Sequence, residues 1–310
     1  GTGFGDALKD KFLICDFGGG AANSGIRAFE LQLEGAFYRL ADHSDPIWTV
    51  LATDVAFGPD GALYISDWVD GWDGLGKGRI YRLTDPKHRD SPVVAEVRRL
   101  LGADWSRQTI EALTDYLAHP DRRVRFEAQW ELARRRELDT LLAVATDRGF
   151  DPQGRLHAVW GADQITRLDP SERDSSLKSL RKLLLDPDDS LRAAAAKVAG
   201  EQSDSAAVVK LQELLDDPSS RVRYFALLSL AKLKDAGVFD QVVELVDAVD
   251  NQDPAIRHAA VMYMASLGDV AKISLLSTHQ SEAVRRTAVV ALRRMKTKDI
   301  SVFLNDSSSL

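Results

Sequence analysis

The chain has 310 residues, of which 45% are apolar, and it carries 40 basic and 47 acidic side chains for a net charge of −7. This composition excludes a chain that is disordered over most of its length, and the negative charge argues against a nucleic-acid partner. No run approaches the roughly 18 apolar residues of a membrane span, and the single cysteine, Cys15, excludes an internal disulfide and a Cys-x-x-Cys metal knuckle.

Glycine usage divides the chain into two regions. Fourteen of the 21 glycines lie in the first 85 residues, and this front region carries a net charge of −6. We predict a β region over residues 1–85, a connecting helical segment over 86–105 with a helix from Val93 to Leu101, and a helical region over 106–310. The first residue is not Met and the chain opens inside a repeat, so we expect it to be part of a longer protein.

The front region has short runs of β-branched and aromatic residues separated by glycine-bearing turns, a pattern typical of strands. Phe57-Gly-Pro-Asp-Gly61 predicts a hairpin turn, because proline fixes φ at about −65° and glycine accepts a left-handed conformation. The six predicted strands are Phe12–Phe17, Ile26–Leu31, Ala36–Ala41, Thr53–Phe57, Ala62–Trp68 and Arg79–Leu83.

The strands also repeat. Phe12-Leu-Ile-Cys-Asp-Phe17 is similar to Leu63-Tyr-Ile-Ser-Asp-Trp68, and a glycine-rich loop follows each segment. A four-strand unit that recurs at about 40 to 50 residues is typical of a β-propeller blade. We therefore predict the C-terminal part of a β-propeller, with about two blades and an open sheet edge. We expect the front to self-associate through this edge unless the helix from Val93 to Leu101 covers it.

Two loops of the front region contain residue types that could bind a metal ion or a phosphate group. Asp67, Asp70 and Asp73 could supply oxygen ligands to calcium, but they lack the spacing and glycine of an EF-hand, and loop aspartates commonly bond their own backbone. A structural role is favoured, with a metal site as the alternative. The glycine-rich loop from Gly18 to Gly25 lacks the lysine of a phosphate-binding loop and is interpreted as a connection between strands.

The helical region aligns on six arginines. The residue three positions after each of them is alanine, and the residues one before and seven after are mostly apolar, so these positions form one helical face. The intervals of 28 to 37 residues fit two helices and two turns, which predicts an α-solenoid of six repeats. The arginines are Arg125, Arg155, Arg192, Arg223, Arg257 and Arg285, and the alanines are Ala128, Ala158, Ala195, Ala226, Ala260 and Ala288.

Each aligned segment is predicted to be the second helix of a pair. Asp186-Pro187, Asp217-Pro218 and Asp253-Pro254 precede three of these helices, where aspartate can cap free N–H groups and proline is tolerated in the first turn. The residue six before the arginine is His119, Asp186, Asp217, Asn251 or His279 in five repeats. We therefore expect each arginine to bond the turn of its own or the preceding repeat, and we assign Asp186 and Asp217 structural roles.

The first helices of the pairs are predicted in the intervening segments. Their predicted ranges are Arg107–Leu117, Leu138–Thr146, Ser171–Leu185, Ala206–Leu215, Phe239–Val249 and Val270–Leu276.

Two resemblances follow from these motifs. The Asp-Pro-x-x-x-Val-Arg-x-x-Ala pattern of Asp217 to Ala226 resembles HEAT repeats, over roughly residues 106–304. The tract from Trp48 to Trp72 resembles planctomycete multidomain proteins described as membrane-bound dehydrogenases, whose order is a propeller similar to glucose/sorbosone dehydrogenases, HEAT repeats and a c-type cytochrome domain. The resemblance implies a secreted parent, periplasmic or extracellular, with calcium or pyrroloquinoline quinone in the propeller and haem c in a further domain.

Both resemblances lead to an expectation about function. No catalytic residue can be carried over, so we expect this segment alone to be inactive and to hold no cofactor, with the solenoid as a scaffold for a protein or a neighbouring domain. The alternative is a non-enzymatic propeller and HEAT binding protein. A Cys-x-x-Cys-His motif beyond Leu310 in the parent gene would distinguish the two.

Overall fold

The structure is a computed structural model that describes residues 2–69 and 76–308. In this part of the chain six β-strands are followed by thirteen α-helices. The strands are β1 (Phe12–Asp16), β2 (Gly25–Glu34), β3 (Phe37–Trp48), β4 (Ala52–Phe57), β5 (Leu63–Asp67) and β6 (Arg79–Leu83). The helices are α1 (Pro92–Leu101), α2 (Ile110–Tyr116), α3 (Arg122–Arg134), α4 (Leu138–Thr146), α5 (Pro152–Leu168), α6 (Arg173–Leu180), α7 (Asp189–Glu201), α8 (Val208–Glu213), α9 (Ser220–Leu233), α10 (Phe239–Val249), α11 (Pro254–Leu267), α12 (Val270–Leu275) and α13 (Glu282–Met295).

The chain divides into two compact units. The first comprises Gly1–Leu33 and Tyr38–Glu131, and the second comprises Glu34–Phe37 and Leu132–Leu310. The secondary structure changes between Leu83 and Pro92, whereas the compact units divide elsewhere, because α1, α2 and most of α3 belong with the strands. The predicted domain ranges 1–85, 86–105 and 106–310 stay predictions.

The first unit contains two antiparallel three-stranded sheets, in the orders β1-β2-β3 and β4-β5-β6. Phe12 lies opposite Phe29 in the first sheet, and Leu63 lies opposite Leu83 in the second. All six predicted strands are present, and the predicted turn is confirmed by Gly61, whose φ is +74°. A propeller blade has four strands, so these open sheets are meanders, and their place in a propeller stays a proposal.

The core of the strand region comes from alternate positions of the strands. Ile26, Ala28 and Ile65 are fully buried there, and Cys15 packs against them as a small apolar side chain, as its place in an apolar strand predicts. The guanidinium of Arg123, on α3, donates to the carbonyl oxygens of Phe57 at 2.9 Å and Gly58 at 3.0 Å. Helix α3 is therefore anchored on the β4–β5 turn.

In the second unit the helices alternate as predicted between first and second members of a pair. Helices α4 and α10 have the predicted bounds. Three of the first helices end in a 3₁₀ turn, a common way to tighten the last turn before a chain reversal. These turns span Arg181–Leu185, Leu214–Asp216 and Leu276–Thr278.

The second helices pack on one another more closely than the first helices do. Small side chains make this approach possible: the six aligned alanines are at most 3% exposed, which confirms the prediction from the repeat alignment. Between α7 and α9, Ser229 Oγ donates to the carbonyl oxygen of Ala196 at 2.7 Å. A Cβ atom on Gly200 would lie 2.3 Å from Ser229 Oγ, so this contact requires glycine.

Candidate functional site: the arginine turns and the second-helix row

The aligned arginines close the turn that precedes their own helix. In four repeats an Nη1 atom donates to the carbonyl oxygen of the residue six positions earlier, at 2.7–2.9 Å. The donors and acceptors are Arg125 and His119, Arg192 and Asp186, Arg223 and Asp217, and Arg285 and His279. Arg155 differs because the residue six before it is Gly149, and its Nε donates to the carbonyl oxygen of Ala145 at 3.0 Å.

Three arginines also bind a carboxylate of the following turn. Arg155 and Asp186 are each 3% exposed, and their side chains meet at 2.5 Å. Arg192 donates two hydrogen bonds to the carboxylate of Asp217, at 2.8 and 3.0 Å. Arg285 donates two to the carboxylate of Asp306, at 2.7 and 3.1 Å. The sequence predicted that each arginine bonds the turn of its own or the preceding repeat. These ion pairs instead join the arginine to the turn of the following repeat.

The turn residues that accept these arginines also organise their own backbone. Oδ1 of Asp186 accepts the N–H of Asp188, and Oδ1 of Asp217 accepts the N–H of Ser219. Asp188, and not Asp186, therefore caps α7, with bonds to the N–H groups of Ser190 and Leu191. In α11 the predicted cap is present: Asp253 accepts the N–H groups of Ala255 and Ile256.

Histidine replaces aspartate in two turns and makes the same local bond. The N–H of Asp121 donates to His119 Nδ1 at 2.9 Å, and the N–H of Ser281 donates to His279 Nδ1 at 3.1 Å. In both turns Nδ1 is the hydrogen-bond acceptor, so it carries no hydrogen itself. Both histidines therefore organise their own turn, as Asp186 and Asp217 do in other repeats.

The ion pairs change the electrostatics of the turn carboxylates. Burial opposes ionisation of Asp186, but the hydrogen bonds from Arg155 and from the N–H of Asp188 outweigh it, and the pKa of the carboxyl is lowered. The fork from Arg285 lowers the pKa of Asp306. Both groups are therefore held as carboxylates.

Two further aligned arginines bond a side chain of their own repeat. Arg257 donates to the side-chain oxygen of Asn251 at 2.6 Å, and the residue equivalent to Asp217 in its following turn is His279. Arg223 donates to Ser220 Oγ at 2.6 Å within its own helix. The sequence predicted one role for all six arginines, whereas the structure distinguishes these two.

A row of exposed side chains follows the second helices of the second unit. It occupies the position five residues after each aligned arginine, and we call it the second-helix row. Its members are Trp160, Lys197, Leu228, Met262 and Val290. Trp160 is 40% exposed and Val290 is 41% exposed, whereas Leu228 and Met262 are partly exposed. Apolar side chains therefore reach solvent at the same position of four repeats.

Sequence reasoning missed this row, although the signal was present. The alignment that identifies the buried alanines also shows an apolar residue at the fifth position in five of six repeats, including Trp130 of the first unit. That position lies between the buried third and seventh positions but points away from them on a helical wheel. An apolar residue that recurs on the polar side of a helix indicates a contact surface.

The proposed calcium ligands lie only partly within the described residues. Asp67 is 7% exposed, and its Oδ1 accepts the N–H of Val69 at 3.0 Å; Asp70 and Asp73 lie outside the described residues. Across residues 2–69 and 76–308, no group of His, Cys, Asp and Glu side chains is arranged to hold a metal ion. Asp67 therefore stabilises its own loop, and the calcium site stays a prediction.

The glycine-rich loop is held by its own serine. Ser24 Oγ accepts the N–H of Gly18 at 2.9 Å and donates to the carbonyl oxygen of Gly20 at 2.8 Å. The loop therefore closes on itself between β1 and β2. None of the helices in the described part of the chain has the length and apolar character that crossing a bilayer requires.

Comparisons with known proteins found similarity to the helical repeats. A family model for HEAT repeats matches three overlapping segments, 138–231, 177–251 and 211–279. Among the solved structures, a chain of the complex of CpcE and CpcF of phycocyanin lyase from Nostoc sp. PCC7120 is similar at 18% identity and a TM-score of 0.30, over 64% of this chain and 93% of that one. No curated protein matches the chain. Residues 138–279, which contain helices α4 to α12, therefore form a solenoid of HEAT repeats.

Proposed function

We propose that the helical repeats form a protein-interaction scaffold whose contact surface is the second-helix row. The observation that carries the proposal is the recurrence of exposed apolar side chains at one position of successive second helices. HEAT repeats commonly present extended surfaces to protein partners. Each exposed side chain would fill a small pocket on an elongated partner, at a spacing set by the stacking of the repeats.

The arginine turns support this role because they fix the spacing of the row. An ion pair that joins one repeat to the turn of the next restrains the rotation between them, and a restrained surface loses less conformational entropy when a partner binds. In this proposal the turns have no direct part in binding. They hold the second helices in register for the partner.

The scaffold can be tested with substitutions on the row and a matched control. Leu228→Lys with Met262→Lys places two charges on the row, whereas Val209→Lys places a charge on an apolar side chain of α8 that is 68% exposed and lies off the row. We expect a partner captured from the source cells to lose at least about tenfold in affinity for the double variant only. Equal binding to the double variant, or a loss with Val209→Lys alone, would refute the assignment of the surface.

The larger context remains a proposal supported by the sequence resemblance. In it the two sheets are the last blades of a propeller, and the parent is a secreted quinone-dependent dehydrogenase-like protein with calcium or pyrroloquinoline quinone in the propeller and haem c in a further domain. The second candidate is a non-enzymatic propeller and HEAT binding protein, which the second-helix row supports because binding through exposed apolar side chains needs no cofactor. A dye-reduction assay on the full-length parent with sugars and added quinone separates the candidates.

A further inference from the structure

The turn between β2 and β3 packs within the second unit. Residues Glu34–Phe37 belong to that unit together with the helices from Leu132 onward. Gly35 and Ala36 form the two-residue turn, and Ala36 is fully buried although the strand residues on either side of the turn are exposed. We call Gly35, Ala36 and Phe37 the hairpin tip. Residues of α9 and of the turn before α11 contact it.

Asp253 binds the backbone of the hairpin tip. The N–H of Ala36 donates to Oδ2 of Asp253 at 2.8 Å, in a buried hydrogen bond. Oδ1 of the same carboxylate accepts the N–H groups of Ala255 at 3.0 Å and Ile256 at 3.2 Å, at the start of α11. Asp253 is 8% exposed, so its carboxylate is held in one orientation with Oδ2 directed at the tip. Any turn that presents a backbone N–H in the same way can make this bond.

The shape of the site restricts the side chains of the turn. Gly35 has a φ of +58°, and a Cβ atom on it would lie 2.4 Å from Oδ2 of Asp253. The carboxylate cannot move aside without losing its bonds to the first turn of α11, so this position requires glycine. Ala36 is completely enclosed, and a larger side chain there would have to displace its neighbours. The site therefore accepts glycine followed by a small residue.

An aromatic contact completes the site. The ring of Phe37 makes a T-shaped contact with Tyr224 of α9, with the centroids 5.3 Å apart and the ring planes at 90°. Tyr224 is four residues before Leu228, so both side chains lie on the same side of α9. Phe37 is 51% exposed, so this contact is at the surface, where another protein can reach it. The hairpin tip thus contacts the side of α9 that carries the second-helix row.

We propose that Asp253 and Tyr224 form a recognition site for turns in which glycine is followed by a small residue and an aromatic residue. The hairpin tip is the internal ligand of this site. A protein partner that lies along the second-helix row meets the tip at α9, and it competes for Asp253 and Tyr224 with a turn of the same chemistry. The competition rests on the proposed scaffold function, whereas the site itself is defined by the contacts of the tip.

The site can be tested by removing the internal ligand from the full chain. Ala36→Asp places a carboxylate beside that of Asp253, so the tip is expected to leave the site, while Gly-Asp remains a favourable hairpin turn. The probe is a cyclised, fluorescein-labelled peptide with the sequence of residues 31–40, because an isolated hairpin is only marginally stable in water. An internal ligand competes at an effective concentration on the order of 1 mM. Fluorescence anisotropy should therefore show at least about tenfold tighter binding to Ala36→Asp than to the wild type.

Three control variants define the contacts. His43→Asp adds a carboxylate at an exposed position of the same hairpin, and peptide binding should stay at the wild-type level. Asp253→Asn, combined with Ala36→Asp, should weaken peptide binding at least about tenfold, because an Asn that keeps the helix cap with its oxygen has no second acceptor for the tip. Asp269→Asn changes the equivalent cap of α12 and should leave binding to Ala36→Asp intact. Circular dichroism should show equal folding of all variants.

The partner supplies a second measurement. A partner captured through the row should bind Ala36→Asp at least about tenfold more tightly than the wild type, because the tip no longer competes. If Leu228→Lys with Met262→Lys fails to weaken the partner while the peptide binds as expected, the scaffold assignment fails and the recognition site stands.

Four results would overturn the proposal. Equal binding of the peptide to the wild type and Ala36→Asp, or binding to neither, shows that the tip is not a separable ligand. An equal gain in His43→Asp is an effect of added charge in general. Peptide binding that survives Asp253→Asn uses another surface. A partner with the same affinity for Ala36→Asp and the wild type does not compete with the tip.

Discussion

At the residue scale, Arg192 and Arg285 each join local and long-range structure through one guanidinium. The bond to the carbonyl six residues earlier closes the turn, and the carboxylate fork of Arg155, Arg192 and Arg285 ties that turn to the next one. The planar guanidinium can serve both partners because its donors point in several fixed directions. Lysine, with a single ammonium group, would not replace it.

The first residue-scale prediction concerns the most buried pair. Arg155→Met should lower the free energy of unfolding by about 3–5 kcal/mol, because it leaves the buried Asp186 carboxylate without its cation. Arg107→Met removes a cation of the same size from a surface pair with Asp104, in which the arginine side chain is 85% exposed, and it should cost less than about 1 kcal/mol. Urea unfolding at neutral pH measures both. Equal losses would contradict the importance assigned to the buried pair.

The second concerns pH. The folded-state pKa of Asp186 lies below its unfolded value, so its contribution to stability is present above the unfolded pKa, about 4, and is lost as the pH falls through the folded pKa. Asp186→Asn should therefore be less stable than the wild type at pH 7, and the difference should shrink under acid conditions. Urea titrations at several pH values test this expectation. Asp189→Asn, at an exposed position of the same repeat, is the control, and a difference that is constant with pH would refute the prediction.

The third adds a missing carboxylate. His279→Asp places aspartate where the turn after Arg257 has histidine, and it should raise the free energy of unfolding by about 0.5–1 kcal/mol at neutral pH. The gain is modest because Asp247, Asp250 and Glu282 line the same groove. Gln280→Asp adds the same charge to the neighbouring residue without the turn geometry. The prediction fails if the two variants unfold at the same urea concentration.

At the element scale, the close approach of the second helices depends on small residues. Gly200→Ala would stabilise an isolated helix by about 1 kcal/mol, but here the new Cβ would lie 2.6 Å from Ser229 Cα. We expect a net loss of about 1–3 kcal/mol as α7 and α9 separate. Gly149→Ala, whose Cβ would lie 3.3 Å from the side chain of Asp147, should be tolerated. Thermal unfolding distinguishes the two, and a stabilised Gly200→Ala variant would show that the helices repack freely.

At the scale of the whole molecule, the two units contain different kinds of structure. A solenoid is stabilised by contacts between neighbouring repeats, whereas the β2–β3 hairpin exposes most side chains of both strands beyond Phe29. Limited proteolysis should therefore cut first within residues 1–85 and leave the helical repeats intact for longer. Mass spectrometry of early fragments identifies the sites. First cuts within α4 to α13 would show that the helical repeats open more readily than the strands.

The sequence alone determined the features that depend on neighbouring residues. The spacing of alanine after arginine identified the helical faces, and Phe57 to Gly61 specified a turn, because helix periodicity and turn conformation are set within a few residues. The bond to the preceding turn spans six residues in four repeats, so its spacing was visible in the sequence as well. Asp186 and Asp217 were recognised for the same reason.

Only the tertiary structure decided the features that depend on which surfaces meet. The forward direction of the Arg155, Arg192 and Arg285 ion pairs follows from the stacking of one repeat on the next, which no local pattern encodes. The inclusion of α1 and α2 with the strands depends on anchors such as Arg123, about 65 residues from its acceptors Phe57 and Gly58. The exposure of Leu33 and Leu40 could not be predicted for the same reason. An apolar strand residue gives the same sequence pattern whether its side of the sheet is covered or open.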